Sequence, residues 1–201
     1  MRTNNHTYDT ILWECFKLFL HNGYKEVTFA DIEKAIGMTR GAVYYYVKDK
    51  KTLFHAVINK YLIEKQNISK KVSYNEEEGL RIFILNYVDG VMATRKSFFE
   101  VAEQSNAILS YYNLINNALI YYEGFKEKVE ILLNHEVAVW EKVLKLSKER
   151  GEIKDNIHIP STALVFQSIF HGYSYTRGMI ERFNYNQLLD LYLNFYDQIK
   201  A

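Results

Sequence analysis

The sequence predicts an all-α protein of about nine helices: an N-terminal three-helix head containing a helix-turn-helix, followed by a C-terminal helical bundle. Three observations predict it. The 201 residues include one proline, Pro160, and nine glycines, so breakers are sparse and long helices are favoured over a many-stranded sheet. Apolar residues recur at spacings of three and four along much of the chain. Between these stretches stand residues that start and stop helices. Hydrophobic content is 48%, enough to bury a substantial core and to exclude wholesale disorder.

The elements follow in order. Residues 8–22 place Ile11, Leu12, Cys15, Phe16, Phe19 and Leu20 on one helical face, and Gly23 fits the left-handed position past its end. Thr28 with Asp31 makes a capping box for a second helix, which Gly37 closes. Thr39 can cap a third helix running to about Val47. The run from Val43 to Val47, with three tyrosines inside it, has high β propensity. It is short, sits between two caps and has no partner strand nearby, so a helix is expected. Asp49 caps a fourth helix in which Leu53, Phe54, Val57, Ile58 and Tyr61 recur at helical spacing.

Residues 69–75 read as a junction, dividing the chain into domains at 1–65 and 66–201. Asn75, followed by Glu76, Glu77 and Glu78, predicts a helix start, with a helix to about Thr94. Ser97 with Glu100 predicts another capping box and a helix to about Leu109. Residues 114–150 read as one long helical stretch, stopped by Lys148, Arg150 and Gly151. Pro160 suits the first turn of a helix to about Phe183, and the last helix covers roughly 186–200.

Net charge is +1, but residues 1–65 carry ten Lys+Arg against seven Asp+Glu. Within 34–60, Lys34, Arg40, Lys48, Lys50, Lys51 and Lys60 face Asp49 alone, a plausible phosphate footprint. The single cysteine, Cys15, excludes an intramolecular disulfide and reads as a buried, inert thiol on the apolar face of the first helix. His135-Glu136 lacks the second histidine of a zinc-protease helix, and the glycines are scattered rather than gathered in a phosphate loop. No metal site, cofactor or catalytic set is therefore expected, and the chain does not read as an enzyme. The polar start and the absence of a long apolar run predict no membrane span and a cytoplasmic protein.

The helix-turn-helix suggests DNA, because the major groove, about 12 Å wide, admits one helix. Arg40 can pair bidentately with guanine, while Thr39 and Tyr44 can bond phosphates and fix register. Gly41 lets the backbone approach, and Tyr45 can meet a base edge or a thymine methyl. Lys48 and Lys50 lie where a phosphate strand would pass, and Thr28 with the amides starting its helix can hold another phosphate. Phe29, Ile32, Ala35, Ile36, Val43 and Val47 are left to pack inward.

Over about residues 8–60 the chain resembles the tetracycline-repressor (TetR) family of bacterial transcription regulators. The resemblance rests on Phe19, Gly23-Tyr24, Thr28, Asp31-Ile32, Ala35, Gly37, Gly41, Tyr44, Tyr46, Lys48, Lys50 and Leu53-Phe54. Glu33 and Ile36 depart from the family's alanines and Val47 from its phenylalanine. Glu33 is expected to face solvent.

The resemblance implies double-stranded operator DNA as partner, a homodimer, and a C-terminal bundle that binds a small-molecule effector and releases the DNA. The dimer is implied through helices near 161–183 and 186–200. Independently, both these segments are apolar on more than one side, which asks for a second cover. Residues 76–201 hold ten tyrosines, eight phenylalanines and Trp140, which suits an apolar pocket for an apolar or aromatic effector. The candidates are Phe99, Glu103, Tyr111, Tyr122, Phe125, Trp140, Phe166, Phe170 and Tyr173. Of two other classes, the retained Arg40, Gly41, Tyr44 and Lys50 argue against a binding protein that has lost DNA, and no residue constellation supports a helical enzyme.

Overall fold

The computed structural model describes residues 2–75, 77–101, 107–180 and 182–201, without the side chains of 2–6, 99–101 and 107. Among the described residues every extended element is helical, and an isolated bridge between Ile153 and Lys200 is the sole β pairing. Nine helices reach seven residues or more: α1 (Arg2–Glu26), α2 (Phe29–Ile36), α3 (Arg40–Tyr46), α4 (Lys50–Ile58), α7 (Leu80–Val101), α8 (Ala107–Tyr121), α9 (Phe125–Glu149), α10 (Ile159–Met179) and α11 (Tyr185–Ile199). Two short ones, α5 (Glu64–Gln66) and α6 (Ile68–Lys71), fall between α4 and α7, after a π turn at Asn59–Ile63.

The contacts group into two units. The first comprises Met1–Lys65 with Phe98–Val129, and the second Gln66–Ser97 with Glu130–Ala201. The first stretch ends at 65, but residues 98–129, which the sequence division gave to the second domain, pack with the head. The reason is α8 and the turn after it: Leu114, Ala118 and, just past the helix, Tyr122 are buried in the same cluster as Ile11, Phe19 and Leu20 of α1.

In the first unit, the apolar face expected of α1 is buried throughout, from Ile11 to Leu20. Cys15 is wholly enclosed there, and burial pushes its thiol pKa up to about 12, so it stays protonated. Gly23 takes φ 78°, which only glycine adopts without strain, and kinks the end of α1. The Tyr24 amide freed by the kink donates to Asn117 Oδ1 of α8 at 3.0 Å.

In the second unit, Trp140, Phe166 and Tyr192 stack nearly parallel, with ring planes 5° to 11° apart, and Phe83 meets Trp140 edge-on. Here Glu136 lies under α10 with a side chain only 12% exposed. It accepts hydrogen bonds from Tyr87 Oη at 2.6 Å and Gln167 Nε2 at 3.4 Å, and lies 3.1 Å from His171 Nε2. Burial opposes its charge, yet the bonds from His171 and Tyr87 and the nearby Lys71 ammonium hold the carboxyl below its ordinary range.

Three sequence expectations are corrected. Asn75 does not start α7; its side chain accepts from the Glu77 amide in a turn, and the helix begins at Leu80. The cap comes from far along the chain: Glu152 Oε2 and Oε1 accept from the Leu80 and Arg81 amides at 2.8 and 3.2 Å. Ser97 is not a cap but an interior residue of α7, its hydroxyl donating to the Thr94 carbonyl at 2.9 Å. Residues 114–150 are two helices, because Gly124 with φ 82° breaks them between Tyr121 and Phe125.

Candidate nucleic-acid interface

The head is built around short helices with firm ends. At the start of α2, the Thr28 hydroxyl accepts from the Asp31 amide at 3.3 Å, and the Asp31 carboxylate accepts from the Thr28 amide at 2.8 Å. The same carboxylate accepts from the Thr28 hydroxyl at 2.7 Å, and that bond holds the Asp31 carboxyl below its usual range. Thr28 was expected to face a phosphate; its hydroxyl donor is committed to Asp31 instead. Gly37 ends α2 in the left-handed conformation, φ 70°, and its amide bonds the Glu33 carbonyl.

Helix α3 presents two faces. Val43 and the capping Val47 are buried with Ile32 of α2, which fixes α3 on the head. Its other face is open. Arg40, Gly41, Tyr44 and Tyr45 are exposed, with Tyr45 at 76%, and so are Thr39 before the helix and Lys48 after it. Thr39 holds the N-cap position in extended conformation, yet its hydroxyl makes no capping bond. A methyl added at Gly41 would meet no atom within 4 Å, so the head itself does not require glycine there. Tyr44 stacks on the Phe29 ring at 4.9 Å with planes 10° apart, which holds the phenol against α2. Seven of the eight residues expected to meet DNA are therefore exposed, Lys50 alone being half-buried.

Two side chains have partners that sequence reasoning missed. Arg40 Nε donates to Glu33 Oε1 at 2.8 Å, across the turn between α2 and α3. Glu33, expected to face solvent, is 27% exposed and turned toward Arg40. Lys50 Nζ donates to the carbonyls of Tyr24, Val27 and Lys25 at 2.9, 2.8 and 3.3 Å, and lies 4.6 Å from the Tyr24 ring centroid. The kinked end of α1 leaves carbonyls without helical partners, and Lys50 gathers them with all three of its protons. A lysine in the first turn of α4, opposite the end of α1, was the available signal; local sequence does not reveal that the two ends meet.

The candidate effector residues do not form one set. Phe99's side chain and all of Glu103 lie outside the described residues. Tyr111, Tyr122 and Phe125 belong to the first unit, where Tyr122 stacks on His55 with centroids 4.0 Å apart and donates to Asn59 Oδ1 at 2.9 Å. Trp140, Phe166, Phe170 and Tyr173 belong to the second. Trp140 Nε1 is buried there without a hydrogen-bond partner, while Tyr173 Oη is bonded to Gln187 and to the backbone of Asn184. Among the described residues no three His, Cys, Asp or Glu side chains gather as a metal site, and no helix is long and apolar enough to cross a membrane.

Comparison with known proteins agrees with this geometry. Residues 11–57 match the model of a family described as bacterial regulatory proteins, tetR family. Over 171 residues, 83% of this chain and 78% of the relative, the chain is 20% identical to the HTH-type transcriptional repressor BepR of Brucella suis biovar 1 (strain 1330). A solved TetR transcriptional regulator from Chloroflexus aurantiacus J-10-FL has a TM-score of 0.71 at 17% identity, with 100% of both chains covered. The flavonoid-responsive regulator FrrA has a TM-score of 0.63 at 16% identity, covering 96% of this chain and 95% of its own.

Proposed function

Because this chain belongs to the tetR family of bacterial transcriptional regulators, we propose that it is a repressor working as a homodimer on a palindromic operator. Two copies of α3 enter successive major grooves, and a small molecule bound in the C-terminal bundle releases them. The observation that carries the reading is the α3 surface, where Thr39, Arg40, Gly41, Tyr44, Tyr45 and Lys48 are exposed together while Val43 and Val47 anchor the helix. In this reading Arg40 reads a base, Tyr45 touches a base edge or methyl, and Thr39, Tyr44 and Lys48 bond phosphates. Residues 1–65 serve DNA, and residues 66–201 serve the effector and the dimer. The binding head and the regulator fold supply no catalytic task.

The partner copy is placed against α10 and α11. Leu164, Tyr175 and Met179 on α10 are about half exposed, as is Ile180 just past its end, and Leu191 on α11 is exposed too. Such apolar area on adjacent helices is what a homodimer covers. A small-molecule effector is supported by the likeness to FrrA, whose name describes a flavonoid-responsive regulator. Here the unpartnered indole N–H of Trp140, set among Phe166, Tyr192 and Tyr87, favours an aromatic effector bearing a hydrogen-bond acceptor. Release requires that the effector bind the DNA-incompetent state more tightly than the competent one.

The test is selection of bound sites from a random duplex pool. The expected result is a palindrome whose half-sites are spaced by the dimer, with affinity that falls steeply with salt. Recovery of no sequence, with no affinity for DNA at low salt, refutes the reading.

A further inference from the structure

We propose that Glu33 is a positioning residue for Arg40, setting the base preference of the head while lowering its attraction to DNA in general. The inference rests on the proposed reading of α3 as the groove helix. An arginine guanidinium has five donors, one on Nε and four on the two Nη groups. It can read guanine side-on, through Nε and one Nη, or end-on, through both Nη groups. Glu33 Oε1 holds Arg40 Nε at 2.8 Å. That contact takes the side-on mode away and restricts rotation of the guanidinium plane, leaving the end-on pair for a base. Glu33 is well placed for this. It stands in the last turn of α2, one helix away from Arg40, and its side chain is 27% exposed against 62% for Arg40. The carboxylate is thus backed by the head while the arginine extends from it.

The same carboxylate acts on the phosphates. A negative charge beside a groove helix opposes the backbone of any duplex, whatever its sequence. A correctly placed guanine repays this through the oriented arginine; a random sequence does not. Glu33 thereby raises the ratio of specific to indiscriminate binding by both routes. The bond to Glu33 also favours the charged form of Arg40.

Intact wild type and the variants E33A, E33Q, R40A and the double variant E33A/R40A separate these effects. Each is measured against the selected operator, single-base operator variants and a scrambled duplex, with thermal melting as a check on folding. At the base pair where R40A loses discrimination, E33A should lose about two- to fivefold, the scale of an exposed ion pair. E33A should add little further loss in the R40A background, because Glu33 acts through Arg40. E33Q keeps an oxygen that can accept from Nε, so it should keep the base preference while gaining affinity for the scrambled duplex. Unchanged or sharper discrimination in E33A overturns the proposal and makes Glu33 a residue that merely withholds Arg40. Equal loss of discrimination at every position overturns it too. If wild type binds no DNA, the groove-helix reading itself fails and the inference falls with it; binding by wild type without a position-specific effect condemns Glu33's role alone.

Discussion

The Lys50 ammonium donates to the Val27 carbonyl oxygen at 2.8 Å, and this bond, with its neighbours from Tyr24 and Lys25, ties the first turn of α4 to the end of α1. A lysine in a helix-turn-helix head is readily taken for a phosphate ligand, but this one already spends its protons inside the fold. Lys50→Ala should therefore behave as a stability variant. Hydrogen bonds to charged groups contribute about 1.5–3 kcal/mol, and partial exposure places this set at the lower end. A melting-temperature drop of about 3–6 °C is expected. DNA affinity measured well below that temperature should keep its salt slope, whereas loss of a phosphate contact would reduce the slope by about one.

Gly41 makes the opposite case. Its missing side chain faces open space, and glycine within a helix costs about 0.5–1 kcal/mol relative to alanine. The head carries that cost without structural return, which is understandable if another backbone must come close. Gly41→Ala should raise the melting temperature of the free protein slightly and weaken operator binding at the same time. Calorimetry and an operator titration on the same sample check both halves. A gain in both stability and affinity would remove Gly41 from the interface.

The sequence made the head legible because its signals are local. The Thr28–Asp31 box, the Gly37 stop and the Asp49 cap each act within three or four residues, and all three are present as expected. The same holds for Pro160 in the first turn of α10. What was not legible was set by distant partners. Asn75 and Glu76 to Glu78 make a good local start, but α7 begins where Glu152 reaches its amides from 72 residues away. Lys50 and Glu33 were read by residue type and helix position, and their roles depend on helix ends that meet only after folding. The effector candidates suffered most, because aromatic type alone does not say which core a ring will join.

The second unit half-buries a lysine, Lys71, and this gives its stability a definite pH dependence. Burial lowers the Lys71 pKa from an ordinary 10.5 to about 8, opposed by the attraction of Glu136. A lowered lysine pKa means that between pH 8 and 10.5 the unfolded chain holds a proton the folded one has lost, so stability rises with pH in that window. The full shift corresponds to roughly 3 kcal/mol. The Cys15 thiol, raised from an ordinary 9.0 to about 12, offsets this rise once pH passes 9, and Tyr87 and Tyr192, raised by burial, reverse the trend above 10. The observable window is thus pH 8 to 9. Urea unfolding of wild type should show the rise, and Lys71→Met should abolish it while being at least as stable at pH 7. Persistence of the rise in that variant would assign it to another group.

Glu136 shows the acid counterpart. Its folded pKa is lowered, so the stability it confers is present above the ordinary carboxyl value near 4.5 and is lost as pH falls through the folded value. Glu136→Gln should cost about 2–3 kcal/mol at pH 7, since it weakens bonds to Tyr87 and His171 beneath α10. The deficit should close as pH falls below the ordinary carboxyl value. Far-UV denaturation curves at pH 7 and in acid test it; a deficit independent of pH would point to packing rather than charge.

Helix α10 separates its two faces sharply. Ala163, Phe166 and Tyr173 are buried, while Leu164, Ser168, Gly172, Tyr175 and Met179 form an exposed stripe three and four residues apart. A methyl added at Gly172 would touch nothing, so the stripe has a low point at its centre where another helix can come close. If a second copy covers this stripe, a charge placed on it must be desolvated twice in a two-fold dimer, once from each copy. Leu164→Glu together with Tyr175→Glu should therefore raise the dimer dissociation constant by about 100-fold or more, while the buried face keeps the subunit folded. Sedimentation velocity should show wild type at twice 23.8 kDa and the variant at 23.8 kDa. Operator affinity should fall by about 10²–10⁴, the advantage lost when two linked heads become single ones, with half-site recognition intact. A variant that stays dimeric would move the interface off α10, and a variant that turns monomeric yet grips the full operator as before would show that one head suffices.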